Sequence, residues 1–221
     1  MGACMILFEY LPLLFKGAQT TLFSWIIAGT GSLLLGTGLG ILSCQALRLT
    51  KLALCIKIFT FIAKGIPAYV QILIAYFIIP SLLHTSVSGF WAATFALIFC
   101  STGYVTEIVR AGINAVPSGQ WNACHVLGYS LPTALKRIII PQAFPTLLPP
   151  LMGEAEQLLK STSLLATIGV TEVTRAGMNI ISRELNPLPV YLAIACIYLI
   201  FSACLTGIGI YAEQRSRYGN R

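Results

Sequence analysis

Charge is what this sequence has least of. Only 10% of its 221 residues are charged, 14 basic against 7 acidic, where a soluble domain carries about 25%. So little charge cannot cover a water-exposed surface, which excludes an ordinary soluble enzyme or binding module. Metal and disulfide patterns are also missing. Seven cysteines stand at 4, 44, 55, 100, 124, 196 and 204, with no CxxC. Most lie in apolar stretches, where cysteine acts as a small hydrophobe. The two histidines, His84 and His125, form no HExxH. No GxSxG elbow occurs, and no GxxxxGK[ST] phosphate loop, so the chain should not hydrolyse ATP itself. The net charge of +7 comes without a basic patch interleaved with aromatics, so nucleic acid is not an expected partner. No basic n-region or small-residue cleavage site is seen, so no cleaved signal peptide is expected.

What is there is apolar. The hydrophobic share is 57% and the mean hydropathy +0.83, an integral membrane composition. A spanning helix needs about 20 mostly apolar residues, and five such segments are expected. Residues 1–17 form a short lead-in with Lys16 near its end. The first span is Thr21–Leu47, in a run with no charge between Lys16 and Arg48. Gly36 and Gly40 form a GxxxG pair, which lets helices approach closely. Intramolecular packing is the expected use, a dimer seam the alternative. The second span, Ile58–Ile79, holds Lys64 and, just beyond it, Pro67. The third, Phe90–Val109, ends where Glu107 and Arg110 stand at i,i+3 spacing. The fourth, Gln142–Leu159, is expected to be broken by Pro145, Pro149 and Pro150 and carries Glu154 and Glu156. Lys160–Asn186 is a polar excursion with short helical patches. Leu188–Ala212 is the fifth span, and 213–221 a basic tail.

Five spans put the termini on opposite sides. With the N-terminus outside, segments 48–57, 110–137 and 213–221 lie inside. They hold nine basic residues: Arg48, Lys51, Lys57, Arg110, Lys136, Arg137, Arg215, Arg217 and Arg221. The outer segments hold four: Lys16, Lys160, Arg175 and Arg183. That is a positive-inside bias.

One polar interruption has internal order: Ala111–Ala143, AGINAVPSGQWNACHVLGYSLPTALKRIIIPQA. No charge occurs between Ala111 and Leu135, so it is not a solvated charge run. Ser118 is a candidate N-cap after Pro117, and Trp121–Leu127 reads as a short helix. Gly128 suits the C′ position, because it takes positive φ at little cost. Ser130 and Pro132 suit the start of a second short helix, which Pro141 would close. Two short helices meeting at a glycine make a rigid knuckle that fits a pocket on another protein.

The segment GQWNACHVLGYSLPTALKRIIIPQA resembles the cytoplasmic loop of bacterial ABC-importer permeases, a Glu-Ala-Ala, three residues, Gly pattern followed by an apolar stretch ending in Pro. Its flanks are similar to the polar amino-acid branch (histidine, glutamine, glutamate, arginine, opines). AKGIPAYVQILIAYFIIP resembles that branch's Arg-Gly-Thr-Pro-…-Gln segment. EIVRAGINAVPSGQ and LPPLMGEAEQLLKSTSLLATIGVTEVTRA also look like it, so the resemblance spans most of 18–212. Asn122 stands where the family has Glu, and Cys124 where it has Ala.

The resemblance implies an all-α integral membrane permease with five transmembrane helices and a cytoplasmic two-helix coupling loop. Residues 18–212 would form the permease domain, in a bacterial cytoplasmic membrane. It implies a separate ATPase holding ATP and Mg, with no cofactor in this chain. It also implies an extracytoplasmic solute-binding protein, a second permease chain and a polar amino acid as cargo. Gly119, Trp121, Asn122, Ala123, Leu127, Gly128 and Ser130 would dock the ATPase, with Trp121 as an anchor. Lys64, Glu154 and Glu156 are substrate-path candidates, because ionisable groups within spans typically face a bundle interior or aqueous path. Their alternatives are ion pairs within the fold, including Glu156 with Lys160 at i,i+4. A self-sufficient secondary transporter or channel is the alternative function, and an intramembrane enzyme would need a catalytic set that is absent.

Overall fold

A computed structural model describes residues 3–47 and 49–218. Arg48 and the last three residues of the expected basic tail, Arg221 among them, lie outside the described residues. Every regular element among those described is helical.

The first apolar run forms α1, Ala3–Leu42, a single 40-residue helix. The expected lead-in is therefore not a separate segment, because no break follows Lys16. The polar residues just after it bond within the fold. Thr20 Oγ1 donates back to the Lys16 carbonyl at 3.2 Å, and buried Thr21 accepts from the Val173 N–H at 3.3 Å.

After a short 3₁₀ turn at Gln45–Leu47, α2 spans Thr50–Gly65. The expected second span is not one helix. Pro67 has no N–H to continue α2 and disfavours helical geometry at Ile66, which is extended at φ −94°, ψ 127°. A new helix, α3, starts at Ala68 and runs to Leu73. It continues through a π turn at Ile74–Ile78 into α4, Ile79–Leu83. The two arms, Thr50–Gly65 and Ala68–Leu83, meet at a bend of 96°.

α5, Gly89–Asn114, is the central helix, with 13 buried residues. It runs parallel to α1, and the GxxxG pair makes that contact: Cβ atoms on Gly36 and Gly40 would fall 2.6 and 2.7 Å from Val105 and Val109. The glycines thus serve an intramolecular seam. Ser24 and Thr94 bond across it at 3.1 Å, and Asn114 accepts from the Gln45 N–H at 3.1 Å.

α6 covers Ser118–Val126 and α7 Leu131–Ala134. A π turn at Leu135–Ile139 leads directly into α8, Ile140–Ser161. Pro141 therefore opens the long helix and does not close a short one. Pro145, Pro149 and Pro150 sit inside α8 without breaking it. Pro149 and Pro150 are exposed and Pro145 half-buried, so the ring clashes and freed carbonyls stay largely out of the packed interior.

A 3₁₀ segment, Thr162–Ile168, and α9, Val173–Glu184, form the excursion. Glu172 caps α9, accepting from Thr174 N–H at 2.8 Å and Arg175 N–H at 2.7 Å. It also accepts from Tyr198 O–H at 3.0 Å and is fully buried. α10, Pro187–Tyr218, completes the chain. Leu14, Val173, Ala176, Ile180, Val190 and Ile194 form a core at the α9 end. A second core, with Cys44, Val109, Ile113 and Ile139, lies at the α6 end.

Among the described residues, three helices are each long and apolar enough to cross a membrane: Phe8–Leu42 of α1, α5, and Pro187–Ser216 of α10. The bent pair qualifies as a broken span. The expected fourth span, α8, is not among them and carries Glu154, Glu156 and Lys160 in its last two turns. Large apolar side chains outside the cores, such as Leu34 at 75% and Phe61 at 76% exposure, face outward.

Candidate functional site

The first candidate site is the α6–α7 knuckle. Pro117, not Ser118, occupies the cap position of α6, and Ser118 is its first helical residue. The end of α6 is a Schellman motif. Tyr129 N–H donates to the Cys124 carbonyl at 3.0 Å, and Gly128 N–H to that of His125 at 3.1 Å. Gly128 stands at φ +71°, where a Cβ would be strained, although it would meet nothing within 4 Å. Ser130 precedes α7, but its hydroxyl bonds Thr133 Oγ1 at 2.8 Å and caps no backbone group.

Six of the seven candidate docking residues are presented outward. Gly119, Asn122, Ala123, Leu127, Gly128 and Ser130 are exposed. Trp121 is the exception. It is half-buried and packs on the core formed by α5, α8, the π turn before α8 and Cys44. It anchors the knuckle to the bundle, and the outward apolar surface comes from elsewhere. Val126 and Leu127 are 84% and 71% exposed, with Tyr129 and Leu131 beside them. Val126, Tyr129 and Leu131 escape sequence reasoning, because a short apolar run beside a glycine reads equally as core. A Gln142–Gln120 hydrogen bond of 3.2 Å ties α6 to α8.

The second candidate site lies where α2 breaks. Lys64, in the last turn of α2, ion-pairs with Glu107 of α5 and lies 5.7 Å from the centre of the Tyr104 ring. Glu107 also faces Arg110 at 3.9 Å. Glu154 on α8 accepts from buried Ser101 at 2.7 Å. Lys64 and Glu154 line one cleft of about 320 Å³, together with Pro67, Ser101, Tyr104 and Gln157. They share the cleft without pairing with each other. The structure separates Glu156 from them. It pairs with Lys160 at 2.7 Å and lines a smaller cleft facing α10, beside Gly209 and Glu213.

Gln71 is a further residue at this break. It is 6% exposed, and its amide nitrogen donates to both the Ala63 and the Ile66 carbonyls at 2.7 Å. The only signal in the sequence is the Pro-…-Gln spacing.

Residues 32–218 match the family described as the binding-protein-dependent transport system inner membrane component. The chain is 31% identical over 205 residues to the arginine transport system permease protein ArtQ of Bacillus subtilis, covering 93% of each chain. It is also 31% identical to the glutamine transport system permease protein GlnP of Escherichia coli K12, covering 94% of each. Among solved structures it resembles an amino acid ABC transporter with histidines, at TM-score 0.85 and 30% identity, over 95% of this chain and 96% of that one. The MetNI methionine ABC transporter shares the fold, at TM-score 0.81 and 16% identity, over 98% and 99%. With 187 of its residues matched by the family and these relatives aligned nearly end to end, the chain belongs to the binding-protein-dependent inner membrane components, the permease subunits of ABC importers.

Proposed function

We propose that this permease carries polar amino acids into the cell, driven by a separate ATPase that docks on the 117–141 knuckle. The observation that supports the cargo class best is the single cleft lined by Lys64 and Glu154. A zwitterion offers a carboxylate to the first and an ammonium to the second. Relatives named for arginine and glutamine transport agree with that chemistry.

In this reading α1, the bent α2–α4 pair, α5, α8 and α10 make five crossings, with the N-terminus outside. Arg110, Lys136, Arg137 and Arg215 then fall at the cytoplasmic end, as the positive-inside bias requires. α6 presents Val126, Leu127 and the Gly128 turn to a cleft on the ATPase, where ATP and Mg are held. A second permease chain completes the pathway, and an extracytoplasmic binding protein delivers the amino acid near α9. Glu156, paired with Lys160, takes a structural role beside the path.

The test is reconstitution with the ATPase and binding protein in proteoliposomes. ATP-dependent amino-acid uptake, absent when the ATPase is omitted, is the expected result. Uptake by the chain alone without ATP would favour a secondary transporter.

A further inference from the structure

The break between α2 and α3 is bridged by a side chain whose role the transport reading leaves open. In a continuing helix the N–H of residue 67 would serve the Ala63 carbonyl, but Pro67 has none. Ala63 is fully buried, so water cannot replace the lost donor, and an orphaned buried carbonyl is costly. Gln71, one turn into α3, supplies the donor. Its amide reaches back across the break to the Ala63 carbonyl, and also to the Ile66 carbonyl, at 2.7 Å each. One amide group thereby joins the last turn of α2 to the first turn of α3.

Lys64 lies between those two anchor points. Its turn is also held from α5, where a Cβ on Gly103 would fall 2.9 Å from the Ala63 Cβ and 3.2 Å from the Lys64 Cγ. The bend carries Pro67 and Ala68 of the second arm into the same cleft as Lys64 and Glu154. A straight helix would carry them past it.

We propose that Gln71 is a positioning residue: it clamps the 96° bend and so sets Lys64 and the Pro67–Ala68 wall around the substrate cleft. It touches no substrate and acts through the Ala63 and Ile66 backbone. The proposal rests on the cleft reading for its functional consequence, and on geometry alone for the clamp.

The clamp is measured as a distance. Leu54 and Leu82 are exposed, at 59% and 73%, one on each arm. Spin labels are placed at Leu54→Cys and Leu82→Cys, with the other cysteines replaced. Their backbone separation should be about 27 Å across the bend and about 42 Å if the arms were one straight helix, at 1.5 Å rise per residue. Gln71→Leu should broaden the distribution toward the longer value. Gln71→Asn, which keeps the amide but is one methylene short, should do the same, and it carries the test if the leucine variant fails to fold. In proteoliposomes either variant should raise the amino-acid KM at least about fivefold, with the maximal rate within about twofold.

The double variant Gln71→Leu with Pro67→Ala separates positioning from mere satisfaction of a carbonyl. The restored N–H should recover thermal stability but neither the short distance nor the KM. A wild-type distance distribution in the single variants that fold overturns the clamp, and so does a wild-type KM in the double variant. Absent uptake in the wild type would instead defeat the transport reading, while the distance measurement still decides the clamp.

Discussion

Lys64 and Glu107 form an ion pair between the end of α2 and the last third of α5, leaving Glu154 across the cleft with Ser101 as its hydrogen-bond donor. The two carboxylates thus have different work. Glu107 holds Lys64, and Glu154 faces the cleft without a cation of its own among the described residues. Glu154→Gln keeps the Ser101 contact and removes the charge. Uptake of a polar amino acid should fall about tenfold, equivalent to ~1.4 kcal/mol, with ATPase binding unchanged. Unchanged uptake would remove Glu154 from the path.

The α1–α5 seam predicts a contrast between neighbouring glycines. Gly40→Ala puts a methyl 2.7 Å from Val109, and overpacking of this kind costs about 1–3 kcal/mol. Gly38→Ala meets nothing within 4 Å and should be neutral or slightly stabilising. Thermal unfolding in detergent distinguishes them. Equal stability would mean that the seam is looser than described.

Glu172 predicts a pH dependence. Burial raises its carboxyl above the ordinary glutamate range, offset in part by hydrogen bonds from Thr174, Arg175 and Tyr198. Between the unfolded and the raised folded value, the folded state holds a proton that the unfolded state lacks. This contribution is fully present below the unfolded value and is lost as pH rises through the folded one. The melting temperature should therefore decline across that window as pH rises. Glu172→Gln should flatten the slope, and an unaltered slope would assign the dependence to another group.

Trp121 and Leu127, six residues apart, should fail differently. Trp121 packs inward on the α6-end core, so Trp121→Ala should cost about 1–3 kcal/mol of stability, somewhat below the range for a fully buried aromatic. Leu127 is 71% exposed, so Leu127→Asp should leave the melting temperature unchanged and weaken ATPase binding. The reverse pattern would contradict the assignment of inner and outer faces.

Composition and periodicity made the long apolar helices legible. The expected Phe90–Val109 lies within Gly89–Asn114, and Leu188–Ala212 within Pro187–Tyr218. Gly128 was legible because positive φ at a helix end has a residue signature. Proline was the difficulty, since its consequence depends on what replaces the missing hydrogen bond. Pro67 breaks α2, with Gln71 supplying a donor to the buried Ala63 carbonyl, whereas Pro145, Pro149 and Pro150 lie within an intact α8, the last two on its exposed side. Charge misled at Lys16, where tertiary packing against α9 carries the helix through. The inward turn of Trp121 and the partner of Lys64 depend on distant segments, which local patterns do not encode.

Co-purification of this chain with its ATPase, as wild type and as Gly128→Asp, tests the central claim most directly. Gly128 is exposed and a Cβ there meets nothing within 4 Å, so the substitution adds only about 1 kcal/mol of left-handed backbone strain and a carboxylate on the proposed docking surface. The wild type should retain the ATPase through detergent extraction, and the variant should lose it at an equal membrane level. Equal retention by both would contradict docking through the α6–α7 knuckle.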